Sequence, residues 1–180
     1  MSAFQEIPFE TNFSRVKDFM TVYGQDVPTK PTTPETIPDV TKLRVNLIEE
    51  ELNELKDAIK NNDFVEVVDA LADILYVTYG AGVAWGVDLQ KAFEQVHDSN
   101  MTKICKDTDE AEYTVKWYKD HPEKGYPSPE YREAKSGDKT VYVVFESSTG
   151  KILKNVNYKA VDLKNIVVAD LGSESVLDTA

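Results

Sequence analysis

The sequence predicts a mainly α fold: an antiparallel helical bundle followed by a small C-terminal β-hairpin extension. Three observations predict it. Apolar residues recur at three- and four-residue spacing through most of 12–103, the stripe a packed helix needs. The breaks between these segments are mostly two or three residues long, which makes antiparallel neighbours of the helices they join. Beyond residue 138 the period changes to alternation, the pattern of strands.

The first helix is expected over 12–24, NFSRVKDFMTVYG, with Val16, Phe19, Met20 and Tyr23 at helical spacing and Gly24 at its end. The next stretch holds Pro28, Pro31, Pro34 and Pro38. Proline lacks an N–H and pushes the preceding residue out of the helical region, so 27–39 reads as an extended linker. A second helix runs from about Asp39 to Lys60 and is broken by Asn61 and Asn62. A third starts at Asp63, which stands three residues before Glu66 as in a capping box, and runs to Gly86. Asp88 caps a fourth that reaches about Lys103. Residues 108–120 form a short helix, and 121–138, rich in Pro, Gly and charge, are expected to be irregular. The hairpin is placed over about 139–154, KTVYVVFESSTGKILK, turning at Ser148, Thr149 and Gly150. The last ten residues are expected to fray. The domain reading is a helical, metal-binding part over 1–106 and an extension over 107–180.

Charge narrows the partners. The chain carries 32 acidic against 20 basic side chains, net -12, with no basic run. Such a surface repels nucleic acid, whose affinity for proteins comes mainly from Lys and Arg. It repels small polyanions too, unless cations stand between. No stretch nears eighteen consecutive apolar residues, so no membrane partner is expected. Residues 1–13 lack the basic and apolar regions of a secretory signal. The single cysteine, Cys105, can form neither an internal disulfide nor a Cys-based zinc site, which fits a reducing, cytoplasmic setting.

The acidic residues on the second and third helices are the main chemical signal. At about 100° per residue, Leu43, Leu47, Leu52, Leu55 and Ala58 share a broad arc of the second helix. Glu51 and Glu54 fall inside that arc and Glu50 on its border, while Glu49 and Asp57 lie on the polar side. The third helix is apolar nearly all round, the mark of a buried helix, except for a stripe holding Glu66, Asp69 and Asp73 and continued by Gly80. Buried, clustered carboxylates need neutralising. A salt-bridge network could do it, but the only basic residue on the inner arcs is Arg44. A hard divalent cation with oxygen ligands could also do it, and carboxylate-only ligation favours Mg²⁺ or Mn²⁺.

On the fourth helix Leu89, Phe93, Val96 and Ile104 line one face, with Asn100 in its middle and His97 and Lys103 at its borders. An amide and an ammonium so placed suit a phosphorylated ligand. Tyr76, Trp85 and Phe93 read as core aromatics.

LRVNLIEEELNEL (43–55), VEVVDALADILYVTYGAG (65–82), GVDL (86–89) and VHDSNMTK (96–103) together resemble the all-α nucleoside-triphosphate pyrophosphohydrolases. That group includes the MazG proteins, the dimeric dUTPases, the dCTP pyrophosphatases and the phosphoribosyl-ATP pyrophosphohydrolases. Within it the segments look closest to the phosphoribosyl-ATP-pyrophosphohydrolase-like and MazG-like proteins of bacteriophages, and the later DLKNIV is similar to their C-terminal tails. The family pattern is EExxE on one helix and ExxD on the next. Glu50, Glu51 and Glu54 match the first. For the second, Asp73 as the aspartate puts Ala70 where an acid belongs, with Asp69 one step earlier; Asp69 as the aspartate makes Glu66 its partner.

The resemblance implies an α bundle and magnesium-dependent cleavage of a nucleotide to monophosphate and pyrophosphate. It implies Glu50, Glu54, Asp69 and Asp73 as metal ligands, with Glu66 a further candidate, and Glu51 as the group that orients or deprotonates water. Asn100 and Lys103 would touch phosphate or sugar, with His97 and Arg44 as further candidates. A homodimer or homotetramer is expected, because one chain has too few helices to cover the third. Two rivals stand beside this reading. Glu94 and His97 have the ExxH spacing of ferritin-like di-iron proteins, which need it twice, and the only other histidine is His121. A non-catalytic, metal-binding helical module is the other.

Overall fold

The computed structural model describes residues 10–168. It is mainly helical, with a two-stranded antiparallel sheet toward its C-terminal end, as the sequence predicts. The described residues fall into two compact units, one of 10–92 with 163–168 and one of 93–162.

In the first unit α1 spans Asn12–Val22. Its N-terminus is closed by a reciprocal box in which the Ser14 N–H donates to Thr11 Oγ1 and the Thr11 N–H to Ser14 Oγ. Helix α2, Pro38–Lys60, begins with a proline where the missing N–H costs nothing. Asn62, at φ 54°, turns the chain into α3, Phe64–Ala84. Asp63 Oδ1 accepts from the N–H groups of Val65 and Glu66 and caps that helix. The α3 helix packs against α2 and α1. Val16 and Met20 of α1 meet Val83 and Ala84 of α3 in a buried cluster bordered by Phe13, Val27, Val40 and Tyr79.

The proline-rich linker is less extended than its composition suggests. It makes a short 3-10 turn at Pro34–Thr36, and the Thr32 N–H donates to the Trp85 carbonyl at 2.8 Å. Gly86 is required at the junction: its φ is +67°, and a Cβ there would collide with the Lys30 carbonyl. Trp85 is tied down through its Nε1–H, which donates to Thr41 Oγ1 at 3.2 Å.

Helix α3 is not buried on all sides. Its Gly80–Ala84 end is enclosed, but Phe64, Val65, Val68, Leu71, Leu75 and Tyr76 are exposed, because α1 and α2 cover only part of its circumference. Tyr76 is therefore not a core aromatic, and neither is Phe93, which is 64% exposed. By length and composition alone α3 could cross a bilayer. Its middle nevertheless carries Asp69 and Asp73, and it is packed against two other helices.

Helix α4, Leu89–Met101, is capped by Asp88, whose Oδ1 accepts from Gln90 and Lys91 N–H. Most of it belongs to the second unit with α5, Thr108–Asp120, and strands β1, Pro129–Ser136, and β2, Lys139–Glu146. The hairpin is thus shifted from the expected 139–154. Its two full strands pair from Pro129↔Glu146 to Ser136↔Lys139, around Gly137 and Asp138. The Ser148–Gly150 turn exists too, but beyond it Ile152 meets Phe145 only through an isolated bridge. The reason lies in β1. Only Pro129 is buried and only Tyr131 and Ala134 are half-buried, so the apolar alternation that marks a strand is faint.

Helix α5 lies on the hairpin, and Cys105, Ala111, Tyr118, Val144 and Leu153 form the core between them. Cys105 exchanges both backbone hydrogen bonds with Tyr142. The Asn155 side chain donates to the Thr102 and Ile104 carbonyls, and the Ser99 hydroxyl donates to the Lys159 carbonyl at 2.8 Å. The Asn155 bonds satisfy backbone acceptors just beyond the C-terminal end of α4, and the Ser99 bond satisfies the Lys159 carbonyl from within it.

Candidate functional site

The acidic stripes meet along the α2–α3 seam. Glu51 is half-buried on α2, and its Oε2 is fully buried with no hydrogen-bond partner. Burial pushes its carboxyl above the usual carboxylate range, and Glu54, Asp73, Glu50 and Asp69 push it further the same way. Two of those neighbours, Asp69 and Asp73, reach it from the facing helix. Four carboxylates from the two helices therefore act on Glu51.

Among the described residues no salt bridge to these five acids is formed. The ion pairs Arg15–Glu10, Lys91–Asp88, Lys106–Asp107 and Lys135–Glu133 all lie outside this cluster. Arg44, the one cation on the inner arcs, is buried and spends its Nη2 on Gln25 Oε1 at 2.7 Å and on Met20 Sδ. It packs where Gly80 leaves room; a Cβ at that glycine would lie 3.2 Å from Nη1. Arg44 is therefore engaged away from the acidic cluster. Gln25 could not be read as its partner beforehand, because its side chain comes from a loop with no periodic pattern.

The donor set fits a hard cation: carboxylate oxygens only, one of them buried and without a partner. Among the described residues no three of these groups already close on a single point. Glu50, Glu54 and Asp69 are exposed and free to rotate toward an ion. Glu66 is exposed in the first turn of α3 and is not among the carboxylates that act on Glu51. Ala70 is 3% exposed, so a carboxylate there would enter the packed face of α3.

The α4 residues lie in the other unit. Asn100 and His97 are exposed, and Lys103 is half-buried in the wall of a cleft within 93–162. His121 is committed to Trp117: its Nδ1 lies 2.7 Å from the Trp117 carbonyl and its ring stacks on the indole. A second ExxH site of the di-iron kind is therefore absent among the described residues.

Residues 16–100 match the family described as phosphoribosyl-ATP pyrophosphohydrolase, a span containing α2, α3 and every acid of the cluster. An uncharacterized protein of Acanthamoeba polyphaga mimivirus is 24% identical over 252 aligned positions. The alignment covers 93% of this chain and all of that protein, so the likeness extends beyond the helical part. Through residues 16–100, a little under half of the chain, this protein is thus similar to the phosphoribosyl-ATP pyrophosphohydrolases, which are all-α nucleoside-triphosphate pyrophosphohydrolases.

Proposed function

We propose that this protein is a magnesium-dependent nucleotide pyrophosphohydrolase. It would cleave a ribo- or deoxyribonucleoside triphosphate, or a phosphoribosyl-ATP-like nucleotide, to the monophosphate and pyrophosphate. The observation that carries the reading is the buried, unpartnered Glu51 Oε2 among four further carboxylates with no basic side chain beside them.

Glu50, Glu54, Asp69 and Asp73 would hold the ion, Mg²⁺ with Mn²⁺ as a substitute. When bound, it offsets the charge of carboxylates and phosphates and lowers the pKa of water. Glu51 is the group poised to take a proton. Its raised pKa brings it nearer the working pH, where a general base is most effective. Asn100 and Lys103 would meet phosphate or sugar. The exposed apolar residues of α3 suit a homodimer or homotetramer in which copies cover one another. Cys105, a buried free thiol, suits a reducing cytoplasm.

The test is pyrophosphate release from a panel of canonical, deoxy and damaged nucleotides with Mg²⁺. Turnover of at least one of them is expected. Silence across the panel would favour the second reading, a non-catalytic metal-binding module, which draws its support from the buried Ala70 at the place of an expected acid.

A further inference from the structure

The unit of 93–162 contains a cleft of about 930 Å³ whose lining is unlike the rest of the chain. Four lysines, Lys103, Lys124, Lys151 and Lys154, stand in its wall, and no aspartate or glutamate does. In a chain with 32 acidic residues, of which 13 lie within 93–162 itself, that segregation concentrates positive potential in one concavity. None of the four takes part in an ion pair among the described residues.

Aromatic rings hold the ammonium groups in place. Lys124 Nζ lies 5.7 Å from the Trp117 ring centre, Lys151 Nζ 4.9 Å from that of Tyr126 and Lys154 Nζ 4.5 Å from that of Tyr158. Lys151 also donates to the Tyr126 hydroxyl at 2.7 Å. Tyr113, 59% exposed in the same wall, has no ring stacked on it among the described residues, so its face is open to a planar group.

We propose that this cleft is a binding site for a free nucleotide, separate from the acidic cluster and independent of metal. Lys124, Lys151 and Lys154 would meet the phosphates and Tyr113 the base. The volume is that of a small-molecule site. A nucleic-acid strand is disfavoured by charge. Outside the cleft the unit is acidic, with 11 basic against 13 acidic side chains in all, and it offers no basic track for a continuing backbone.

Calorimetric titration of the full chain in EDTA separates this site from the acidic one. ATP should bind without metal, equally well to the wild type and to Glu51→Gln. The Lys124→Gln/Lys154→Gln double variant, confirmed as folded by circular dichroism, should weaken it by about tenfold or more, since a charge-assisted contact is worth at least that. Inorganic tripolyphosphate, which lacks the ring, should bind more weakly than ATP. The proposal is overturned by ATP binding that requires Mg²⁺ or is undetectable in EDTA. Indifference to the two lysines, tripolyphosphate binding as tight as ATP, or tighter binding of a short oligothymidylate would each overturn it as well. Because the readout is binding without metal, a chain that releases no pyrophosphate can still pass this test.

Discussion

Arg44 donates to Gln25 Oε1 at 2.7 Å, and so the one cation on the inner face of α2 serves the joint with α1 rather than the carboxylates two turns further on. The arginine is itself strained by this arrangement. Burial lowers its pKa, and its Nε is buried without a partner. Among the described residues the acidic cluster thus receives no counter-charge from this arginine.

The first consequence is thermal. A divalent cation that binds only the folded state should raise the melting temperature, by about 2.7 kcal/mol of stability at a hundred times its dissociation constant. Asp69→Asn and Asp73→Asn should each remove most of the shift produced by Mg²⁺ in scanning calorimetry. Glu66→Gln should keep it. A shift lost with Glu66 and kept without Asp73 would make Glu66 and Asp69, not Asp69 and Asp73, the acids of the second motif.

Glu51→Gln should move activity and stability in opposite directions. Pyrophosphate release should fall by about 100-fold or more, the usual loss when a general base is removed. In EDTA the same variant should melt higher than the wild type, because it relieves repulsion from Glu54, Asp73, Glu50 and Asp69. Retained turnover would remove Glu51 from the mechanism.

Gly86→Ala should be among the most damaging single-methyl changes. It combines a left-handed φ with collision against the Lys30 backbone, for a loss of about 3 kcal/mol or more. Gly150→Ala, at φ +73° with nothing within 4 Å of the new methyl, should cost clearly less in urea denaturation.

Cys105 supplies a pH test. Burial pushes its thiol from 9.0 up to about 11. The unfolded chain therefore loses this proton first as pH rises. The stability the buried thiol contributes is complete below about 9 and is lost by about 11. At about 1.36 kcal/mol per unit the change is close to 3 kcal/mol. Urea midpoints across that range should fall more steeply in the wild type than in Cys105→Ala, and a thiol reagent at pH 8 should react only on unfolding.

The apolar side of α3 predicts self-association. Light scattering should return a dimer or tetramer, and Leu71→Glu/Leu75→Glu should reduce it to a single chain. A wild-type monomer would contradict this.

Much of this architecture was legible in the sequence, for reasons that differ along it. The helices showed because apolar spacing and caps such as Asp63 and Asp88 are local signals, and 108–120 fell where the helix is found. The acids Glu50, Glu51 and Glu54 were separable from Glu49 and Asp57 because a helical wheel is geometry that the order of residues alone supplies. Strand β1 was missed. Its one available mark was the Gly137–Asp138 pair, a two-residue hairpin signal that the later Ser–Thr–Gly stretch outcompeted. Neither the Arg44–Gln25 bond nor the lysine cleft could be read in advance. Both join residues far apart in the chain, and Lys103, Lys124, Lys151 and Lys154 share no pattern until α5 and the hairpin bring them to one wall.

The bonds from Ser99 to Lys159 and from Asn155 to Thr102 and Ile104 have a bearing on synthesis. A ribosome makes the end of α4 some sixty residues before it makes the groups that close it. At 5–20 residues per second that is a delay on the order of 3 to 12 s. During that interval the Ser99 hydroxyl and the Thr102 and Ile104 carbonyls have only water, and a message cut short before codon 155 would yield a chain that never closes them.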